Sequence, residues 1–182
     1  MTAPANLVIR PARADEIPAL DALITASARG LSIGFYTPAE TEAAITHVFG
    51  VDSELVADGT YLVVESAGET LGCGGWSRRA TLFGGDGFAG RQSGLLDPSR
   101  DAAKIRAFFV APAAARRGVG AALLQACEDA ARAAGFTRTE LMATLPGEPF
   151  YARHGYTGRA PISLDCGGVA VRFVPMDKQL PG

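Results

Sequence analysis

With 182 residues, 48% of them hydrophobic and 20% charged, the chain has the length for a sizeable core and reads as one domain over 1–182, its core spanning about 6–177. A formal net charge of −2 gives no electrostatic case for nucleic acid or an anionic membrane, and no apolar run approaches the roughly 20 residues of a membrane helix. Met1 to Pro18 has no apolar h-region, so a cytoplasmic protein is expected, and Cys73, Cys127 and Cys166, widely spaced with no C-x-x-C, argue for buried free thiols and against a disulfide framework or zinc site.

Asn6 to Arg10, with Leu7, Val8 and Ile9, reads as a short first strand ended by Pro11. Asp15 and Glu16 open a helix whose Ile17, Leu20, Leu23 and Ile24 form one apolar stripe, broken between Gly30 and Gly34. Thr37-Pro38-Ala39-Glu40 starts a second helix: a threonine cap, proline first, and glutamate three residues after the cap. It runs to about Phe49. Tyr61–Ser66 and Glu69–Ser77 pair as a hairpin through Ala67-Gly68. Gly72, Gly74 and Gly75 mark a bulge or a place of close packing. Trp76, followed by Arg78 and Arg79, belongs either to the core or to the lining of an anionic or planar substrate pocket. Leu82 to Arg100, with five glycines, reads as a long flexible loop that covers a site or is an inert insertion.

Ala102 to Val110 is then the central strand. Directly after it comes the most informative stretch of the chain. Ala115-Arg116-Arg117-Gly118-Val119-Gly120-Ala121 leads from this strand into an alanine-rich helix that ends at about Ala134, before Gly135. The first turn of a helix leaves N–H groups unpaired and carries partial positive charge. Gly118 and Gly120 let an anion approach the backbone, and Arg116 and Arg117 add charge beside it. A dinucleotide fingerprint fails because Leu123 stands where its third glycine belongs, and no Gly-Lys-Ser/Thr completes a P-loop. On the helix, Val119, Leu123, Leu124, Cys127, Ala130, Ala131 and Ala134 share one side, while Gln125, Glu128, Asp129 and Arg132 lie mostly on the other. Thr137 to Ala143 reads as a strand parallel to the central one, and a slot for a ligand opens where two such strands part. A short helix, Phe150-Tyr151-Ala152-Arg153-His154, precedes Gly155-Tyr156, and Ile162–Leu164 with Val169–Met176 form a final hairpin.

Ala115 to Ala121 resembles the Q/R-x-x-G-x-G/A motif with which the GNAT N-acetyltransferase superfamily binds the pyrophosphate of coenzyme A; here Ala115 takes the Gln/Arg place. Phe150-Tyr151 before Gly155-Tyr156 resembles the superfamily's F-Y-x-x-x-G-F/Y helix, in the same order and spacing. The resemblance implies an α/β (α+β) fold: a mixed, mostly antiparallel central sheet flanked by helices, whose parallel fourth and fifth strands splay around the CoA site. It implies an acetyl-CoA-dependent N-acetyltransferase that moves the acetyl group to a primary amine by direct attack in a ternary complex, without a metal. Phe108, Phe109, Val110, Arg116, Arg117, Gly118, Val119, Gly120 and Ala121 would bind the cofactor, with an oxyanion donor near Phe109 or Val110. Tyr151 would be the general acid toward the CoA sulfur, or only pack there. No base stands out among Glu65, Glu69, Glu140, Glu148 and His154. Phe35, Tyr36 and His47 are candidates for the acceptor wall or for plain packing. A small-molecule or peptide amine is the expected partner, and a homodimer is compatible with the composition. The alternatives are a non-catalytic CoA-binding regulatory domain and an acyltransferase with another acyl group or acceptor.

Overall fold

In the computed structural model, which describes residues 6–182, the chain is organised on one eight-stranded sheet. Residues 1–5, part of the segment read above for a leader, lie outside the described residues. The strands are β1 (Val8–Pro11), β2 (Tyr61–Ser66), β3 (Glu69–Ser77), β4 (Ala103–Val110), β5 (Arg138–Thr144), β6 (Thr157–Gly158), β7 (Ile162–Cys166) and β8 (Val169–Gln179). Their order is β1-β2-β3-β4-β5-β8-β6, with β7 also pairing β8. Every pairing is antiparallel except β4 with β5. The helices are α1 (Ile17–Leu31), α2 (Pro38–His47), α3 (Ser53–Ala57), α4 (Val119–Ala133) and α5 (Glu148–Arg153). None of the described helices is long and apolar enough to cross a membrane.

Side-chain alternation along the strands sorts the core into two faces. Val63 and Val64, neighbours on β2, point to opposite sides of the sheet. Val63 packs with Leu20 and Ile24 of α1, and Val64 joins the cluster that holds Leu123 and Leu124 of α4. The helix α2 closes the β7–β8 end of the first face through Ala44, Val171 and Phe173. Local signals act where expected. Ala67 and Gly68, at φ 50° and 80°, form the two-residue turn that matches the twist of a hairpin. Thr37 Oγ1 accepts from the Glu40 N–H at 3.2 Å, and the Glu40 carboxylate accepts from the Thr37 N–H at 2.7 Å. Cys73, Cys127 and Cys166 are buried free thiols.

The helix α1 does end between Gly30 and Gly34, at Leu31, and Gly30 has a packing role besides: a Cβ there would stand 2.8 Å from the Pro112 ring. Several expectations give way to tertiary packing. Trp76 is a core residue, 6.2 Å from the Phe136 ring, and Arg79 pairs with Asp58 at 2.7 Å; neither lines an anionic pocket. Glu128 turns inward on α4, accepting from Lys178 Nζ at 2.8 Å and from the Tyr156 hydroxyl at 2.9 Å.

The largest departure concerns the glycine-rich segment read as a flexible loop over 82–100. Its first part is fastened from within the sheet. Arg106, in the middle of β4, is fully buried and donates to Asp52 Oδ2 at 2.7 Å, to the Thr81 carbonyl at 2.9 Å and to the Gly84 carbonyl at 2.6 Å. Arg91 donates to the same Asp52 at 3.1 Å, to Glu54 at 2.5 Å and to the Gly85 carbonyl at 3.2 Å. Burial pulls the Arg106 guanidinium pKa down, and Asp52 opposes that shift. Asp52 also caps α3, accepting from the Glu54 N–H at 2.9 Å. One carboxylate thus ties together a strand, a short helix and a loop. Farther along, Ala80 and Leu96 bond across to Gly94 and Arg78, so the segment returns as a narrow ladder.

Removing one partner of such a pair leaves the other charge buried alone. Asp52→Ala is expected to lower the unfolding free energy by about 3–5 kcal/mol in urea titration, whereas Glu42→Ala, which breaks an exposed pair with Arg29, should leave the urea midpoint nearly unchanged.

Candidate active site

The parallel pair β4–β5 shares register only at Ala103↔Thr139 and Lys104↔Glu140, where Lys104 and Glu140 also form an ion pair. Beyond that rung the strands part. On its other side β4 carries a bulge: the register with β3 shifts between Cys73 and Gly75, with Ala107 at φ 46°. The bulged Ala107 carbonyl accepts from the Tyr61 hydroxyl at 2.8 Å. Ala111 N–H bonds the Leu71 carbonyl at 2.9 Å, so ladder alternation directs Phe109, the partner of Cys73, toward β3 and turns the main-chain groups of Val110 into the gap.

A cavity of about 690 Å³ occupies this gap and reaches both faces of the sheet. Phe108 and Phe109 point to opposite faces and divide it. On the α4–α5 side Phe108 stands 6.0 Å from the Phe150 ring and 5.9 Å from Tyr151. On the α1–α2 side Phe109 stands 5.2 Å from Phe49.

The first end is electropositive. Gly118 caps α4 with φ 81°, a conformation glycine takes without strain, and it has no side chain to occupy the first N–H groups. A Cβ there would meet nothing within 4 Å, so the turn is open to a ligand. Gly120 serves differently: a Cβ would stand 3.3 Å from the Phe150 ring, so this glycine lets α5 lie close to α4. Arg116, Gly118, Gly120 and Ala121 line the cavity, as do Phe108, Phe109 and Val110. Two expected residues stand apart from the lining. Arg117 reaches back to the Ala113 carbonyl at 3.5 Å, and the Val119 side chain is buried in the core beneath α4, leaving only its backbone N–H at the helix start.

Tyr151 is buried in the cavity wall, 5.1 Å from Phe150 and 5.6 Å from Tyr156. Its hydroxyl has no hydrogen-bond partner among the described residues, unlike those of Tyr36, Tyr61 and Tyr156, each of which is bonded. Burial raises the Tyr151 pKa above the ordinary tyrosine value, so the phenol holds its proton. The carboxylates considered as bases are elsewhere. Glu65 is held by Arg10 at 2.5 Å, Glu140 by Lys104, Glu69 is exposed at the start of β3, and Glu148 lies against Gly158. Among the described residues no aspartate or glutamate lines the cavity. His154 does: its Nδ1 lies 2.8 Å from the Phe150 carbonyl, which can only accept, so the proton sits on Nδ1 and Nε2 is left as acceptor in the neutral ring.

Of the three aromatic candidates for the acceptor wall, Phe35 lines the cavity and is half exposed. Tyr36 is a clasp, donating to the Arg172 carbonyl at 2.5 Å and accepting from the Leu145 N–H at 3.0 Å; burial lifts its pKa to about 12. His47 packs at the β7–β8 turn beside Gly167. The lining also includes Phe83, Gly84 and Gly85, which sequence reading left in an unassigned loop, and Arg153 at the electropositive end. One signal for the loop was present in the sequence: an arginine at 106 between Ile105 and Phe108 in a buried strand demands an acidic partner.

Solved structures share this architecture. A GCN5-related N-acetyltransferase from Rhodopseudomonas palustris superposes with a TM-score of 0.73 at 21% identity, covering 99% of each chain. The PaiA N-acetyltransferase of Thermoplasma acidophilum, solved in complex with coenzyme A, gives 0.63 at 14% identity over 96% of this chain and 99% of that one. Ard1 from Thermoplasma volcanium gives 0.62 at 17% identity over 97% and 99%. A search of curated proteins finds no match. A sequence model of the acetyltransferase (GNAT) family matches residues 24–156, most of the chain and both motifs, and with that match the chain belongs to the GNAT acetyltransferase family.

Proposed function

We propose that residues 1–182 form one acetyl-CoA-dependent N-acetyltransferase domain that transfers the acetyl group to a primary amine within a ternary complex. The observation that carries the reading is that the uncapped, glycine-opened start of α4 and Tyr151, whose hydroxyl is unpartnered among the described residues, line one continuous cavity. Bound acetyl-CoA would supply an activated thioester. The amine nitrogen attacks its carbonyl carbon, the C–N bond forms as the C–S bond breaks, the nitrogen loses a proton, and the sulfur leaves protonated as the free thiol.

The residues support each need of that exchange. The N–H groups of Val119, Gly120 and Ala121, with Arg116, suit the pyrophosphate. Phe108 to Val110 suit the pantetheine arm, the Val110 main chain offering hydrogen bonds in the manner of an added strand. Its N–H is also the candidate donor to the thioester oxygen as charge gathers there. Tyr151 donates its proton to the departing sulfur. With no carboxylate in the lining, the ammonium proton leaves through solvent or His154 Nε2. Seating both reactants across one slot removes much of the entropic cost of their meeting.

Calorimetric titration with acetyl-CoA beside a thiol-release assay over a panel of amines tests the reading. Micromolar binding, about −8 kcal/mol, with thiol release supports it, and absence of binding rejects it. Tyr151→Phe should lower kcat by about 10²- to 10⁴-fold while leaving acetyl-CoA affinity and the melting temperature nearly unchanged, since no hydrogen bond is lost on folding; equal loss of rate and affinity would make Tyr151 a binding residue. The raised phenol pKa means that the proton is present at every pH below the ordinary tyrosine value and lost only above it. So kcat, measured with saturating amine, should show no fall from Tyr151 up to about pH 10. Gly120→Val should press Phe150 into the slot and weaken acetyl-CoA binding with circular dichroism unchanged.

A further inference from the structure

The cavity's second half, on the α1–α2 face, has a chemistry of its own. Phe49 stands 5.2 Å from Phe109 and 6.3 Å from Phe173, and Phe83 stands 6.1 Å from Phe173. These four rings make one contiguous wall, continued to the mouth by Leu31 and Phe35. The polar side chains here are the hydroxyls of Ser27, Ser32 and Thr144, the last opposite Phe173 in the β5–β8 ladder. The cationic groups of the lining, Arg116 and Arg153, belong to the opposite face with α4 and α5.

Carboxylates stand near this wall but outside the lining, and Asp86 there accepts from the Ser53 N–H at 2.9 Å. Asp52 holds Arg106 and Arg91, Glu54 takes Arg91, and Asp21 accepts from the Val51 N–H at 2.8 Å. The wall is also set in advance. Phe83 lies between Thr81 and Gly84, whose carbonyls Arg106 holds from inside the sheet. A rigid apolar wall gains from burying an apolar body without first having to be ordered. A second positive charge would lose its water there and find no carboxylate in the lining to pair with.

Resting on the acetyltransferase reading above, we infer that the acceptor is a primary monoamine on an aromatic body, an arylalkylamine, bound against Phe49, Phe83, Phe109 and Phe173, and that polyamines and lysine-rich peptides are rejected. The amine enters as its ammonium form, gives one proton to solvent, and leaves as the N-acetylated amide with free CoA thiol as the second product.

The test compares kcat/KM for 2-phenylethylamine, ethylamine, spermidine and a lysine-rich peptide on the intact protein, with acetyl-CoA affinity measured separately. The inference expects 2-phenylethylamine to exceed ethylamine by about 10- to 100-fold and spermidine by at least as much. Phe83→Ala should raise KM for 2-phenylethylamine about tenfold and leave acetyl-CoA affinity unchanged. Phe35→Glu, at the half-exposed mouth where a carboxylate is tolerated, should raise kcat/KM for spermidine. Turnover of spermidine or of the peptide ahead of 2-phenylethylamine, with acetyl-CoA bound normally, overturns this inference and leaves the acetyltransferase reading standing. Failure to bind acetyl-CoA, or thiol release with none of the amines, overturns both.

Discussion

Two parallel strands that share a single short rung and then separate set the terms for the rest of this molecule. Main-chain N–H and C=O groups inside a protein must find partners. Past Lys104 and Glu140, the facing edges of β4 and β5 have none from each other. The bulge at Ala107 and the continued ladder with β3 decide which groups of β4 look into the gap, and those of Val110 do. An opening through the middle of a sheet is costly to keep unless something of matching polarity fills it. An extended amide chain such as pantetheine has that polarity.

Holding such a gap open requires rigid walls on both sides, and the two walls are built by different means. The α4–α5 wall rests on close packing: Gly120 against Phe150, and Phe150 against Phe108 and Tyr151. The other wall rests on a buried charge. Arg106 brings a guanidinium into the sheet, and Asp52 with the carbonyls of Thr81 and Gly84 answers it. Its Nε is the buried side-chain polar atom left without a partner among the described residues. A buried pair of this kind is weak evidence of stability, yet each member is costly without the other, so the groups they hold stay together. What it holds here is the position of Phe83 to Gly85 over the slot.

The two faces of the cavity therefore differ in chemistry as well as construction. Helix-terminal N–H groups and two arginines gather at one end, and four phenylalanine rings at the other. Tyr151 stands on the α4–α5 side with its proton retained by burial. A substrate pair with a polyanionic donor and an apolar acceptor would be sorted by this polarity before any reaction.

Local physics was legible in the residues. The hairpin turn at Ala67-Gly68, the capping box at Thr37 and Glu40, the apolar stripe of α1 and the glycine-opened start of α4 each depend on neighbours within a few positions. The anion site belongs to this class, because its donors are consecutive N–H groups. Arg117 and Val119 show the limit of that reading: the turn was recognisable, but which side chains face the slot depends on how α4 lies on the sheet. Tertiary structure alone decided the second wall. Asp52 and Arg106 are 54 residues apart, and nothing within either neighbourhood names the other. Phe83 lies in a run of glycines that carries no periodic signal, yet it becomes ordered because a distant strand offers a charge that must be answered. Which carboxylates are free to act, and which are already held by arginine or lysine, was likewise settled by packing, since pairing depends on distances that the order of residues does not encode.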